Sequence, residues 1–353
     1  MLIVLAVIGL GLIVLVLLDA FETVVLPRRI VRPLRLSRLF YWPVQRLWAA
    51  IGRRLRNPEN FLAFFGPLSL IMLLAFWAVA LIIGFALLHK AAAGDMEGGI
   101  GHYLYFSGTA FFTLGDVAPV VPLDQIVTVA EGATGFSFLA VIIGYLPVFY
   151  TAFSQRERQI TLLDARAGSP PSAVEFFRRH CRNGQPAHLE TFFNEWEHWA
   201  AELLESHLSY PMLGLFRSQH ENESWLAALT MVLDVSALVI ATFDESFAHT
   251  ANLTFAIARH AAVDLSQVYN TPPKALVSDR LLSIAMVQMQ EILGPNARVS
   301  EEKLSALRAL YEPYVKALSD TLLMPLPTWT VKVSVPDNWQ TTAWTELDGV
   351  IMK

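Results

Sequence analysis

The chain has 353 residues, 54% of them hydrophobic and 16% charged, which excludes a single soluble domain and predicts membrane-crossing helices. The net charge of −5 hides an uneven distribution of 26 basic and 31 acidic residues. The lone cysteine, Cys181, excludes an intramolecular disulfide framework and reads as an ordinary reduced thiol.

The first predicted span covers residues 1–26. It has no charge before Asp19 and no basic residue before Arg28, unlike the basic start of a cleaved signal peptide, so it reads as a retained helix. Residues 27–59 form a basic linker with nine arginines between Pro27 and Asn57 and no acidic residue. The positive-inside rule places this loop in the cytoplasm and the amino terminus outside. Tyr41, Trp42 and Trp48 suit a helix at headgroup level, with Arg28, Arg29, Arg53 and Arg54 facing anionic lipid. Flanking apolar segments argue against a nucleic-acid patch, so no nucleic-acid partner is expected. Asp19 and Glu22 are expected to pair with Arg28 or Arg29.

Residues 60–153 read as a pore domain. Its spans are Phe61–Leu88 and about Gln125–Phe153, both near or above the roughly 20 residues that cross a bilayer. Between them, Phe106 to Ala118 is a short polar segment, tolerated at membrane depth only where it is buried in protein or lines a water-filled path. About His102 to Phe112 is predicted helical, with its partly negative carboxyl end favouring a cation. An extended stretch, Thr113-Leu114-Gly115-Asp116, then turns its carbonyls toward the ion. Gly115 supplies the positive φ, Thr113 an added hydroxyl, and Asp116 a charge that concentrates cations at the outer mouth. Pro119 and Pro122 stiffen the exit.

The order span, short helix, filter, span resembles the pore of the potassium-channel superfamily, over residues 60–153. The family filter reads Thr-Val-Gly-Tyr-Gly-Asp, and here Thr113-Leu114-Gly115-Asp116 stands as though the Tyr-Gly pair were missing. By resemblance Thr113, Leu114 and Gly115 take the threonine, valine and first glycine positions. Asp116 matches either the final aspartate across a gap or the tyrosine without one. The ungapped form is similar to non-selective cation channels, including the cyclic-nucleotide-gated type. Two fewer residues remove about two carbonyl rings, which implies weak discrimination between potassium and sodium.

In the third span Glu131 is a carboxylate about two turns from the helix start, roughly at filter height. It either braces the filter from behind, with Ser107, Thr109, Thr113 or filter amides as partners, or faces the cavity; exposure at the outer interface is the third alternative. Gly135 falls near the family's hinge glycine, which implies a gating bend. Pro147 should kink the inner end. Phe149 and Tyr150 form either a hydrophobic gate or plain packing.

Residues 154–171 read as a linker, 172–325 as a cytosolic all-α domain, and 326–353 as a tail of unassigned role. Ser172 with Glu175 is a capping box. Helices are predicted at about 187–208, 222–243, 247–268, 274–293 and 300–323. Asn222–Phe243 is apolar enough for a fourth span, but its flanks are acidic, so a central core helix is preferred. No strand–GxGxxG–helix unit marks a nucleotide-binding domain. Glu195 and His198 form one Glu-x-x-His pair, where a bundle di-metal site needs two, so a solvated face is favoured.

The fold expected is therefore an all-α membrane protein with three transmembrane helices, a re-entrant pore helix and filter, and a cytosolic all-α domain. The function expected is a homotetrameric cation channel, not an enzyme, in a bacterial-type inner or plasma membrane. Its only ions are permeant potassium or sodium, it needs no cofactor, and its lipids surround it. The ligand of the cytosolic domain is left open. The alternatives are a potassium-selective channel with a shortened filter, and a membrane-anchored helical sensor or enzyme.

Overall fold

The computed structural model describes all residues except 25, 27–34, 56–57, 95–98, 116–117, 183–184, 187, 221, 276–281, 295–297 and 330–353. Among the described residues the chain is helical apart from a hairpin of two-residue strands, β1 (Cys181–Arg182) and β2 (Gln185–Pro186). Two compact units divide it, Met1–Thr151 and Ala152–Lys353.

The first unit holds α1 (Leu2–Val24), α2 (Leu36–Gly52), α3 (Pro58–Ala63), α4 (Phe65–Ala93), α5 (Ile100–Phe111) and most of α6 (Pro122–Ala167). Helices α1 and α4 pack where neither has a side chain. A methyl group on Gly9 would lie 2.6 Å from the Gly84 carbonyl oxygen, and one on Gly84 would lie 2.7 Å from Ile13 Cγ1. Close small-residue contact is the usual means of helix association in lipid, where no hydrophobic effect drives it. The other end of α1 is fixed by a buried carboxylate. Asp19 accepts from the Ser37 N–H at 2.8 Å, the Ser37 hydroxyl at 3.0 Å and Trp77 Nε1 at 2.9 Å, with Arg35 Nε at 3.9 Å. This one side chain ties α1, α2 and α4 together. Its expected partners Arg28 and Arg29 lie outside the described residues.

Helix α2 turns one side inward, through the Tyr41 hydroxyl to the Ser69 carbonyl at 3.2 Å and Trp48 Nε1 to the Phe61 carbonyl at 3.3 Å. Its other side exposes Leu39, Trp42 and Leu47, with the Arg46 guanidinium 3.8 Å from the Trp42 ring centre. Arg53 and Arg54 follow it and are exposed.

In the second unit α6 continues through residues 154–167, which the sequence reading assigned to a linker; the chain turns only at Gly168 to Pro171. Ile160, Leu163 and Ala167 explain the difference, because they are buried in this unit's core. The remaining helices are α7 (Ala173–His180), α8 (Leu189–Ser209), α9 (Trp225–Thr242), α10 (Glu245–Val268), α11 (Leu282–Leu293), α12 (Glu301–Ala309) and α13 (Glu312–Leu322). The single helix expected over 300–323 is thus two, broken at Leu310–Tyr311, where the Tyr311 side chain turns into the core and donates to Asp234 Oδ1 at 2.5 Å. Ser172 Oγ accepts from the Glu175 N–H at 3.2 Å, as a cap should, but the Glu175 carboxylate pairs with Arg178 and Arg179. Trp329 is buried, and the rest of the tail, 330–353, lies outside the described residues.

Among the described residues α1, the α3–α4 run, α6 and α9 are long and apolar enough to cross a bilayer, which marks a membrane protein. Helix α9 is set apart by its surroundings. In its apolar window 94% of residues are buried inside the chain, against 11% in α6. A helix already enclosed by α8, α10, α12 and α13 has no face left for lipid, so α9 serves as the centre of a helical bundle.

The second unit also buries cations. Arg156 is 4% exposed and donates to the Leu213 and Phe216 carbonyls at 2.8 and 2.9 Å and to Glu157 at 2.9 Å. Its Nη1 stands 3.5 Å from His207 Nε2, while His207 Nδ1 donates to the Leu203 carbonyl at 2.8 Å. Burial and the Arg156 charge hold the His207 imidazole far down, at about 3. Burial alone pushes the Cys181 thiol up to about 11, which suits an unreactive residue.

Asp19→Ala strands the Trp77 and Ser37 donors and should lower stability by about 2–4 kcal/mol, read by thermal melting in detergent. His207 is neutral when folded and titrates near its ordinary ~6.5 when unfolded, so the unfolded chain binds more protons as pH falls below that value. Stability contributed by this site is complete above ~6.5 and shrinks toward pH 3. Between pH 7.5 and 5 the loss should be about 2 kcal/mol, a roughly 30-fold drop in hydrogen-exchange protection of α9 amides, largely absent in His207→Leu.

Candidate functional site

Helix α5 has 12 residues, about 18 Å at 1.5 Å per residue, too short to cross ~30 Å of hydrocarbon. It stops against α6. The Phe111 carbonyl packs on Gly135 so closely that a methyl group there would overlap its oxygen and lie 2.9 Å from its carbon. Gly135 is 13 positions after Pro122, the first residue of α6, so α5 ends about 20 Å along that helix. Gly135 therefore has a packing role, separate from the bending role that the resemblance implies.

The end of α5 closes with a Schellman motif. The Leu114 N–H donates to the Thr109 carbonyl at 2.8 Å and the Thr113 N–H to the Ala110 carbonyl at 3.0 Å. Position C′ of such a motif is usually glycine, yet here Thr113 holds φ 58°. A β-branched residue in this left-handed region costs on the order of 1–2 kcal/mol, and such strain gathers at functional segments. Gly115 follows at φ 69°, with Leu114 between them at negative φ. Alternating handedness turns successive peptide groups to the same side. Thr113, Leu114 and Gly115 are exposed, Leu114 at 72%. Asp116 lies outside the described residues.

Behind this turn sits a buried polar cluster drawn from three helices. Glu131 of α6 has Oε1 2.5 Å from the Ser107 hydroxyl of α5 and Oε2 2.7 Å from His89 Nε2 of α4. His89 Nδ1 lies 2.5 Å from Asp124 Oδ1, in the first turn of α6. The Ser107 hydroxyl also lies 2.8 Å from the Ile82 carbonyl of α4. Glu131, His89 and Ser107 are all 0% exposed, and the Phe106 ring stands edge-on to His89 at 4.6 Å. Burial of Glu131 argues against both exposure at the outer interface and a place facing a water-filled cavity. A carboxylate in a membrane helix costs a few kcal/mol unless paired, and this one is bonded at both oxygens.

Of the partners expected for Glu131, Ser107 is present and Thr109 is not. The Thr109 hydroxyl turns back to the Phe106 carbonyl at 2.8 Å, inside its own helix, and Thr109 supports the turn through its main-chain carbonyl instead. Sequence reasoning missed His89 and Asp124. The available signal was a histidine inside an apolar span, Leu88-His89-Lys90, with an acidic residue seven positions before Glu131. Pro147 lies within a continuous α6. Phe149 is 2% exposed beside Tyr145, whereas Tyr150 is 61% exposed, so of the two aromatics Tyr150 is the exposed one. In the second unit Glu195 pairs with Arg166 at 2.6 Å and His198 turns to the Asn194 carbonyl, and among the described residues no cluster suits a metal ion.

No family model matches the chain, and neither curated proteins nor solved structures yield a match.

The Phe111–Gly135 contact separates two glycines of one helix. Gly135→Ala must push α5 off α6 and should destabilise the protein by about 1–3 kcal/mol. Gly144→Ala adds a methyl into open space and should be neutral or stabilising by up to about 1 kcal/mol. Melting temperatures of the two purified variants, compared with the parent, check this.

Proposed function

We propose that the chain is one subunit of a homotetrameric cation channel, with α1, α4 and α6 as transmembrane helices, α5 as the pore helix and Thr113-Leu114-Gly115-Asp116 as the filter. The observation that carries this reading is the exposed turn at Thr113–Gly115, about 20 Å along a helix long enough to span a bilayer. Uncovered peptide groups at that depth are tolerated only beside protein or a water-filled path. One such turn per chain cannot enclose a path, and a closed ring of identical chains can.

The chemistry fits a cation. The carboxyl end of α5 carries about half a negative charge, and the alternating φ signs at 113–115 let successive carbonyls face an ion together. With few such rings in series, the channel passes potassium and sodium with little preference. Along α6 the apolar side chains Ile126, Val129, Phe136 and Ile143 are exposed on the single chain, which supports cover by neighbouring copies and lipid. The arginine-rich 27–59 segment puts α2 on the cytoplasmic face and the amino terminus outside. Leu39, Trp42 and Leu47 then enter the inner leaflet, with Arg46, Arg53 and Arg54 at anionic headgroups. Helix α6 continues to Ala167, where Ile160, Leu163 and Ala167 belong to the second unit's core.

Reconstituted liposomes test this. The full chain should carry passive potassium and sodium flux at comparable rates, and Gly115→Ala, which penalises the positive φ, should cut the flux at least tenfold while the protein still assembles. Flux that is absent, or unchanged in Gly115→Ala, contradicts the reading.

A further inference from the structure

The hydrogen bonds of the buried cluster form an unbranched chain: Asp124, His89, Glu131, Ser107 and the Ile82 carbonyl, at 2.5, 2.7, 2.5 and 2.8 Å. Four contacts of this length need four protons, one in each. A carbonyl oxygen cannot donate, so the proton facing Ile82 belongs to the Ser107 hydroxyl, which has only one. The proton between Ser107 and Glu131 must then come from Glu131 Oε1. Glu131 Oε2 accepts from His89 Nε2–H, and the last proton lies between His89 Nδ1 and Asp124.

We infer that Glu131 with Ser107, His89 and Asp124 is a buried proton-binding site: at neutral pH Glu131 is a carboxylic acid donating to Ser107, and release of that proton frees the pore helix from α4. The alternative, with Glu131 ionised, leaves the Ser107 hydroxyl donating to the carboxylate. Its oxygen then faces the Ile82 oxygen at 2.8 Å with no proton between them, an arrangement that repels. Asp124 occupies the first turn of α6, where the helix dipole favours a negative charge, and it is the least enclosed of the three. Its side chain is 9% exposed, against 0% for His89 and Glu131, so protons exchange with solvent through Asp124.

The protonated cluster is neutral overall, with an Asp124–His89 ion pair beside a neutral Glu131. Loss of one proton gives it a net charge of −1, and the charges acting on Glu131 are those of His89 and Asp124. Of the elements packed here, α4 presents His89 and α6 presents Asp124, while α5 presents the uncharged Ser107 and Phe106. On ionisation the Ser107 hydroxyl rotates from the Ile82 carbonyl to Glu131, and the hydrogen bond between α5 and α4 is lost. Ser107 lies in α5 six residues before Thr113, in the turn that ends that helix, so the filter feels that change directly. Glu131, His89 and Asp124 are positioning residues that act through Ser107. The regulation of flux rests on the channel reading, whereas the proton site rests on the geometry alone.

Infrared spectroscopy of the purified full-length protein separates the two. At pH 7 a carboxylic-acid C=O stretch should be present, lost in Glu131→Gln and lost in the parent as pH is raised. The amide of Glu131→Gln donates to Ser107 and accepts from His89 as the acid does, so this variant should fold and melt like the parent. In liposomes the parent flux should titrate with outside pH with a one-proton slope, and the variant should stay at the parent's low-pH level at every pH. Absence of the acid band at pH 7, or its persistence in Glu131→Gln, overturns the site. An acid band that behaves as expected in protein that carries no flux upholds the proton site and removes the channel reading.

Discussion

A peptide group in hydrocarbon must find a partner, and in the proposed channel that constraint falls on the exposed Thr113–Gly115 turn, beside a helix long enough to cross a bilayer. Everything else about the first unit can be read as a means of holding that turn in place. Helix α5 is too short to do so alone. It is held at its end by the Phe111–Gly135 contact and at its middle by Ser107, which reaches α4 and α6 at once. The strain at Thr113 fits this arrangement, because a residue keeps an unfavourable conformation only where its surroundings over-determine it.

The two units use buried ionisable side chains in different ways. In the first, Asp19 and Glu131 each join three helices: Asp19 near the end of α1, and Glu131 behind the α5 turn. In the second, Arg156 satisfies the carbonyls of the 3-10 turn Pro211–Leu215 and its flank, and burial with the Arg156 charge beside it keeps His207 neutral. Arg156 is enclosed by protein, whereas Arg158, two residues on, is exposed. In the proposed channel, α6 takes part in both arrangements, with Glu131 and Gly135 toward one end and Arg156 toward the other.

Composition and apolar runs made the long helices legible, and glycine with threonine beside an aromatic-rich stretch made the turn legible. Glu131 stood out because a carboxylate in a span has few explanations. His89 did not, since a histidine beside Lys90 looks like the end of a span rather than its interior, and nothing in the spacing ties position 89 to 131. The continuation of α6 to Ala167 was hidden because Gln155 to Glu157 read as a polar exit from the membrane. The apolar residues that extend the helix, Ile160 and Leu163, belong to a core that only tertiary packing reveals. Helix α9 shows the reverse case: its composition allows a span, and the enclosure by its neighbours identifies it as a core.

In the proposed channel, copies of the 113–115 segment meet. A density map of the purified assembly in lipid shows whether they do. Four chains around one axis are expected, with the Thr113, Leu114 and Gly115 carbonyls turned toward it and cation density between them. A map in which these segments lie apart, or face lipid or another protein element with no conduit along the axis, contradicts it.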